Sequence, residues 1–351
     1  MANETKFIVI GDPHIKLDNI LDVDLCLERL IGLANERQPD FIVILGDVNH
    51  NHEKIHTVCL NKAYEFIDKM REIAPTYVLV GNHDMINHVQ FLTSNHWLNG
   101  MKEWENVVIV DKVKTLSVNG DLYVFCPYVP NGRFEEALNT CDVDWKESSC
   151  IFAHQEFYGC SMNAITSVEG DRWGEEYPNI ISGHIHVKQK IQNNIYYPGS
   201  MLQHSFGESS KNIIAIVTFN DNTDYILEEV DLKLPRKKTI HTTIEDIDDN
   251  EYELSDTGDK LKITISGVYE QFKSFRKTNK YKKMIKSGIK VVFKPKKISL
   301  ENADDTMSNE SNFKDVLSLL INKEKSPYLT QIYEEIINDK IMSPNDIIFI
   351  S

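Results

Sequence analysis

The chain has 351 residues, more than one ordinary domain, and its 41% hydrophobic content is enough for a sizeable core. A formal net charge of −15 argues against a protein that coats nucleic acid through bulk charge, although a local basic surface remains compatible with it. Six cysteines at positions 26, 59, 126, 141, 150 and 160 form no Cys-x-x-Cys pair, which argues against a disulfide framework or a structural zinc and for a reducing, intracellular compartment.

The N-terminus Met1-Ala2-Asn3-Glu4-Thr5 has no basic segment or apolar stretch of a signal peptide. No apolar run approaches the roughly 20 residues that span a bilayer, so neither secretion by that route nor a membrane is expected. Residues 6–10 then form an apolar run that stops at Gly11-Asp12-Pro13-His14, and helical patterning follows over 19–37 through Leu21, Leu25, Leu30 and Leu33. A second run at 41–45 stops at Gly46-Asp47, with His50, His52 and His56 close behind. Residues 53–73 read as a helix that Pro75 helps to close, and the run 77–80 stops at Gly81-Asn82-His83-Asp84.

From residue 107 the texture changes to short strands. Residues 107–110, 115–118 and 122–125 are apolar, and Asn119-Gly120 between the last two is a hairpin signal. Residues 151–153 run into His154, and strands at 188–191, 195–198 and 212–219 follow Gly183-His184-Ile185-His186. Short β-branched runs between helix-like stretches predict buried strands of an α/β sandwich, two packed sheets with helices outside. Ligands bind such sheets at the carboxyl ends of their strands, so the motifs converge on one edge.

Beyond residue 231 the composition shifts. Residues 245–259 carry eight Asp or Glu and no Lys or Arg, the pattern of a solvated loop, whereas 273–297 carry eleven Lys or Arg and no Asp or Glu. Between strands at 261–266 and 289–294 lies a predicted helix with Phe272, Phe275, Arg276, Tyr281, Lys282, Lys283 and Lys286. Its basic face suits nucleic-acid phosphates, with a merely solvated helix as the alternative. Residues 301–312 read as a flexible linker. Phe313, Val316, Leu317 and Leu320, then Tyr328, Leu329, Ile332, Tyr333 and Ile336, recur at helical spacing and either pack on their own domain or dock elsewhere.

The motif residues are hard or borderline metal ligands without a thiolate. Asp, Asn and His favour Mn²⁺, Fe²⁺ or Zn²⁺, and a shared carboxylate holds two ions about 3.5–4 Å apart, a pair suited to phosphoryl displacement. The order Asp-x-His, Gly-Asp, Gly-Asn-His-Asp, His, Gly-His-x-His resembles the calcineurin-like metallophosphoesterases. Tyr197-Pro198-Gly199-Ser200, Ser205-Phe206-Gly207-Glu208 and His50 resemble the SbcD-type nuclease subunit of double-strand-break repair complexes. His154-Gln155-Glu156-Phe157-Tyr158-Gly159 and the short C-terminal extension look most like phage or viral recombination-endonuclease subunits.

That resemblance implies a four-layer α-β-β-α sandwich over 1–230, a small α+β capping and DNA-binding domain over 231–300, and a linker with partner-binding helices over 301–351. It implies that Asp12, His14 and His186 hold one ion, that Asn82, His154 and His184 hold the other, and that Asp47 bridges them. Two divalent ions are expected, Mn²⁺ foremost, with Mg²⁺, Fe²⁺ or Zn²⁺ as alternatives. His83 is the implied general acid, oriented by Asp84, and His50 joins the catalytic set. DNA contacts fall to Lys282, Lys283 and Lys286, while Phe313, Leu317, Leu320 and Ile332 face the coiled coil of an SbcC-type ABC ATPase. A homodimer is compatible with this, as is a cytoplasmic, nucleoid or viral replication compartment. The implied activity is a DNA nuclease in repair, recombination or replication. The alternatives are a phosphatase or phosphodiesterase acting on a small phosphoester and a catalytically silent DNA-end scaffold. Asp84, where phosphoprotein phosphatases of the superfamily carry Glu, argues against that branch.

Overall fold

The structure, a computed structural model, describes residues 4–52, 54–162, 165–220, 225–247, 250–252, 254, 258–296, 313–324 and 326–338. It separates into two compact units, residues 1–295 and 296–351.

The first unit opens with β1 (Thr5–Ile10), α1 (Ile20–Arg37), β2 (Phe41–Ile44), α2 (Thr57–Arg71), β3 (Thr76–Leu79) and β4 (Val107–Val110). The hairpin β5 (Lys114–Val118) and β6 (Asp121–Cys126) follows, then α3 (Phe134–Leu138), β7 (Cys150–His154) and the short pair β8 (Ser161–Met162) and β9 (Ile165–Thr166). Next come β10 (Asn179–Gly183), β11 (Gln189–Gln192), β12 (Ile195–Tyr197), β13 (Ile214–Phe219) and β14 (Ile226–Val230). Two six-stranded sheets result, ordered β14-β13-β1-β2-β3-β4 and β11-β12-β10-β7-β6-β5. Asn119 and Gly120 both have positive φ, 54° and 93°, as the two-residue turn between β5 and β6 requires.

The period-2 alternation of each strand builds the layers. Phe7, Val9, Val43, Tyr77 and Leu79 point from the first sheet into a core shared with Tyr123, Phe125, Phe152 and Ile181 of the second. Ile8, Ile10, Ile42, Ile44 and Val78 point the other way, onto α1 and α2. Val124, Ile151, Ile180 and Tyr197 face a third core with Phe134 and Leu138 of α3. The chain is therefore an α/β sandwich of four layers. Its centre is aromatic: Phe7 lies 5.1 Å from Phe152 and 4.8 Å from Tyr123, ring centroid to centroid. Each such buried side chain contributes about 1.5–3 kcal/mol by removal from water.

Two expectations for the helices need correction. The buried stripe of α1 is Val23, Cys26, Leu27, Leu30, Leu33 and Ala34, while Leu21 is 81% exposed and Leu25 is half-buried. At 100° per residue, Leu21 and Leu25 stand about 200° from Val23, on the side away from the sheet. The second helix begins at Thr57 instead of residue 53, because the His56 ring accepts the Val58 N–H at 3.2 Å and caps it there.

After β14 the chain forms a smaller sheet of three parallel strands, β15 (Lys237–Thr243), β16 (Lys260–Gly267) and β17 (Lys290–Pro295). The single helix expected before β17 is two, α4 (Tyr269–Phe275) and α5 (Asn279–Lys286), because Thr278 starts a new helix by accepting the Tyr281 N–H at 3.2 Å. Phe272, Phe275 and Met284 pack on Leu261, Ile263 and Ile265. The second unit contains α6 (Phe313–Glu324) and α7 (Pro327–Asn338), and the predicted linker at 301–312 lies outside the described residues. None of the six cysteines is in a disulfide, and among the described residues no helix is long and apolar enough to cross a membrane.

Candidate metal centre

All five motifs lie at the carboxyl ends of β1, β2, β3, β7 and β10. Parallel pairing sets Gly183 directly opposite His154, and the His14 N–H donates to the Asp47 carbonyl at 2.9 Å, tying the loops after β1 and β2 together. Asp12, His14, Asp47 and His184 all adopt left-handed backbone conformations, with φ of 36°, 42°, 49° and 75°. Such conformations cost about 1–3 kcal/mol each and persist where surrounding hydrogen bonds over-determine them. A glycine precedes Asp12, Asp47, Asn82 and His184. At Gly81 the reason is space, since a Cβ would collide with Asp47 Oδ1. At Gly46, φ is 105° and a Cβ would lie 2.7 Å from His154 Nδ1.

The donors form two groups that share one member. Asp12, His14 and Asp47 offer ligand atoms within 4.8 Å of one another, and His186 Nε2 lies 3.0 Å from His14 Nε2. Asp47, His154 and His184 form the other set, with Asn82 Oδ1 3.0 Å from His154 Nε2 and 2.8 Å from His184 Nδ1. Asp47 Oδ2 is 3.4 Å from both His14 Nε2 and His154 Nε2, the place a bridging carboxylate occupies.

These residues fit a pair of divalent ions. Asp12 Oδ2 is buried with no hydrogen-bond partner in the protein, a lone pair that a cation satisfies. Burial lowers His14 well below its ordinary value and brings His184 to about 3, so both rings are neutral and keep a lone pair for a metal. Burial also raises the Asp12 carboxyl. At Asp47 burial pushes the same way, but His154 outweighs it and holds the group well below the carboxylate range. Burial disfavours charge on His154 in turn, and Asp47 and Asp12 override it, raising the ring to about 9.

The structure brings His83 and His50 to this edge and gives Asp84 a different task from the expected one. The His83 N–H donates to Asp47 Oδ1 at 2.8 Å, and its ring Nδ1 donates to the His50 carbonyl at 2.6 Å. Asp84 makes no hydrogen bond to the His83 ring. Its carboxylate accepts from the N–H groups of Val48 at 3.1 Å, Asn49 at 3.3 Å and Gly81 at 3.0 Å, and from Trp97 Nε1 at 2.9 Å. Asp84 therefore ties the loop after β2 to the loop after β3, and the His50 carbonyl orients His83. Burial and the nearby Asp47 raise Asp84 to about 7.

Several contributors carry no role that the sequence alone assigns. Glu208 Oε1 stands 3.5 Å from His186 Nδ1, and its Oε2 accepts the N–H groups of His204 at 2.7 Å and Ser205 at 3.1 Å. A carboxylate behind a ligating imidazole fixes the ring and its tautomer. His204 is buried and donates from Nε2 to the Asp12 carbonyl at 3.0 Å, bracing the backbone of a candidate ligand without joining the set. Glu208 closes the Ser-Phe-Gly-Glu segment, so its position is visible in the sequence and its contact is not. The Leu45 carbonyl, 2.6 Å from His154 Nδ1, leaves no signal in the sequence, because any residue supplies a carbonyl.

The remaining candidates belong to neither donor group. Lys282, Lys283 and Lys286 are exposed on α5, on the far side of the three-stranded sheet from its open face. That open face presents Thr239 and His241 of β15, Lys262 and Ser266 of β16, and Lys290 and Lys294 of β17. It abuts the segment that carries Glu208: Thr239 Oγ1 donates to the Phe206 carbonyl at 3.2 Å, and Lys262 Nζ lies 5.2 Å from the Phe206 ring centroid. In the second unit Leu320, Tyr328 and Leu329 are exposed, whereas the side chains of Phe313, Leu317 and Ile332 lie outside the described residues.

Comparison with known proteins gives concordant matches. The family profile described as calcineurin-like phosphoesterase matches residues 5–188. The 078R protein of Invertebrate iridescent virus 3, provisionally named a phosphoesterase, is 41% identical over 319 residues, 90% of this chain and 92% of that protein. The 244L protein of Invertebrate iridescent virus 6, named in the same way, is 46% identical over 280 residues, 78% of this chain and 97% of that protein. Among solved structures, the GAP50 anchor of the Plasmodium inner membrane complex aligns with a TM-score of 0.44 at 16% identity, covering 66% of this chain and 85% of that one, a likeness too loose to argue from.

Proposed function

The chain belongs to the calcineurin-like phosphoesterase family, whose chemistry is metal-dependent phosphoester hydrolysis, and we propose that its substrate is DNA, cleaved in the manner of an SbcD-type nuclease. Asp12, His14, His186 and the shared Asp47 would hold one ion, and Asn82, His154, His184 and Asp47 the other. Bound there, two ions neutralise the phosphoester and activate water at neutral pH, with Mn²⁺ the first metal to test. Glu208 steadies His186, and Asp84 holds the loops after β2 and β3 in register. With Nδ1–H donated to the His50 carbonyl, His83 in its doubly protonated form would carry a second proton on Nε2 and pass it to the leaving oxygen, ending as the neutral ring.

The observation that carries the DNA reading is the open sheet face beside Phe206. Among the described residues Lys262, Lys290 and Lys294 make no ion pair, and they stand with Thr239, His241 and Ser266 on a surface that α4 and α5 leave uncovered. A small phosphoester has no use for a cationic track leading away from the metal edge, whereas a polyanion does. Lys282, Lys283 and Lys286 form a second basic surface across the sheet, to which we assign the smaller share of DNA contact. We also assign the unit at 296–351 to docking on the coiled coil of an SbcC-type ABC ATPase, supported by the exposed Leu320, Tyr328 and Leu329.

The test compares labelled duplex and hairpin DNA with a chromogenic diester in Mn²⁺. The triple variant Lys262→Glu/Lys290→Glu/Lys294→Glu is expected to weaken DNA binding and to flatten its salt dependence by roughly 0.9 in log–log slope for each phosphate no longer neutralised. Turnover of the chromogenic diester, too short to reach that face, changes far less. Rapid hydrolysis of small phosphoesters with no cleavage of DNA would establish the small-substrate phosphatase reading instead. Co-purification of a chain ending at residue 295 with the ATPase would reject the docking assignment.

A further inference from the structure

The loop between β2 and α2 carries an imidazole that the reaction described above leaves unused. His52 stacks on His83, with ring centroids 4.3 Å apart and planes 23° from parallel. His50 also runs nearly parallel to His83, at 5.5 Å and 13°, and His14 meets it edge-on at 4.7 Å and 89°. His83 is thus fixed along its edge by the His50 carbonyl and at its backbone by Asp47 Oδ1, while the His52 contact is made by a ring face. His52 Nδ1 is buried without a hydrogen-bond partner. A buried polar atom without a partner costs free energy, so hydrogen bonding by that atom does not account for an imidazole here. What His52 supplies is a flat ring against His83.

We propose that His52 is a positioning residue for His83, its ring face preventing His83 from swinging about its side-chain bonds so that Nε2 remains aimed at the leaving oxygen. This rests on His83 acting as general acid, and the two ideas fail separately. Protonation by His83 matters when the departing oxygen is a sugar alkoxide and matters much less when it is a nitrophenolate, which leaves without a proton. A residue that only aims the acid therefore changes the ratio of kcat values for the two kinds of diester. A residue that only supports the fold lowers both alike.

The experiment measures kcat and KM of the full chain in Mn²⁺ on a dinucleotide and on bis(p-nitrophenyl) phosphate, for His83→Ala, His52→Ala and His52→Phe. His83→Ala is expected to lower kcat on the dinucleotide by roughly 10²–10⁴-fold and to cost the nitrophenyl diester much less. His52→Ala is expected to lower the dinucleotide kcat about 10-fold, on the scale of a misaimed catalytic group, with KM kept and the substrate ratio shifted the same way. His52→Phe, which keeps a flat ring and no titrating proton, is expected to restore most of the loss. Equal losses on both substrates in His52→Ala, no loss on either, or His52→Phe as poor as His52→Ala each overturn the positioning role. An unshifted substrate ratio in His83→Ala instead overturns the general acid on which it rests.

Discussion

The metal edge and the three-stranded cap meet at the segment 203–208, and they are built in opposite ways. At the edge, five of the seven candidate ligands are buried, His184 and His186 are half-buried, and four of the seven hold left-handed backbone beside two six-stranded sheets with apolar cores. In the cap, one small sheet carries its two helices on one side, and Lys290 and Lys294 stand exposed on the other. The difference matches what each proposed role demands. Holding cations requires donors fixed to within a fraction of an ångström, which only a deep, heavily braced scaffold provides. Gripping a phosphate backbone requires positive charge spread along a surface, and this tolerates a thin and less stable support.

The harshest way to break the comparison is Asp47→Asn. It removes the one carboxylate common to both donor groups while keeping its shape, so turnover is expected to fall by roughly 10³-fold or more with the fold retained. Calorimetric Mn²⁺ titration beside a thermal melt checks it: a folded variant with full Mn²⁺-dependent hydrolysis would remove Asp47 from the centre of the site.

A milder change addresses the cap alone. Phe272 stacks on Phe293 at 4.5 Å and 13° within the core of the small sheet. Phe272→Ala is expected to cost about 3–5 kcal/mol there, opening the cap to proteolysis and weakening DNA binding. Turnover of a small diester at the metal edge is expected to persist, and its disappearance in parallel with cap unfolding would show that the two regions are one cooperative body.

The smallest effect provides a baseline for ordinary electrostatics on the metal-bearing domain. Burial raises the Asp111 carboxyl, but Lys102 Nζ at 2.6 Å outweighs it and leaves the group below its ordinary value, with His96 Nε2 3.4 Å away. A lowered folded value gives stability that is present above the unfolded carboxylate pKa of about 3.9 and is lost as pH falls through the folded one. Asp111→Asn is expected to destabilise by a few tenths to about 1 kcal/mol near pH 7. Urea titrations should show that deficit shrinking as the pH approaches 3, and a deficit that grows on acidification would reverse the assigned sign.

The sequence by itself determined the layered α/β sandwich and the residues gathered at one edge. Alternating apolar strands specify which faces are buried, and glycine before an acidic, amide or imidazole residue marks the end of a strand where backbone must turn or pass closely. The Asn119-Gly120 hairpin was legible because only that turn chemistry suits two positive φ values in succession. Only the tertiary structure decided how those residues are braced. Periodicity placed α1 but not its buried stripe, since Leu21 and Leu25 are as apolar as the residues that face the sheet. Asp84 looked like a partner for the adjacent His83 ring, yet its carboxylate joins the loops after β2 and β3, a contact set by how the two loops fold together. The open basic face of the cap likewise needed the register of three parallel strands to bring Lys262, Lys290 and Lys294 onto one side, because strand pairing joins residues the chain keeps far apart.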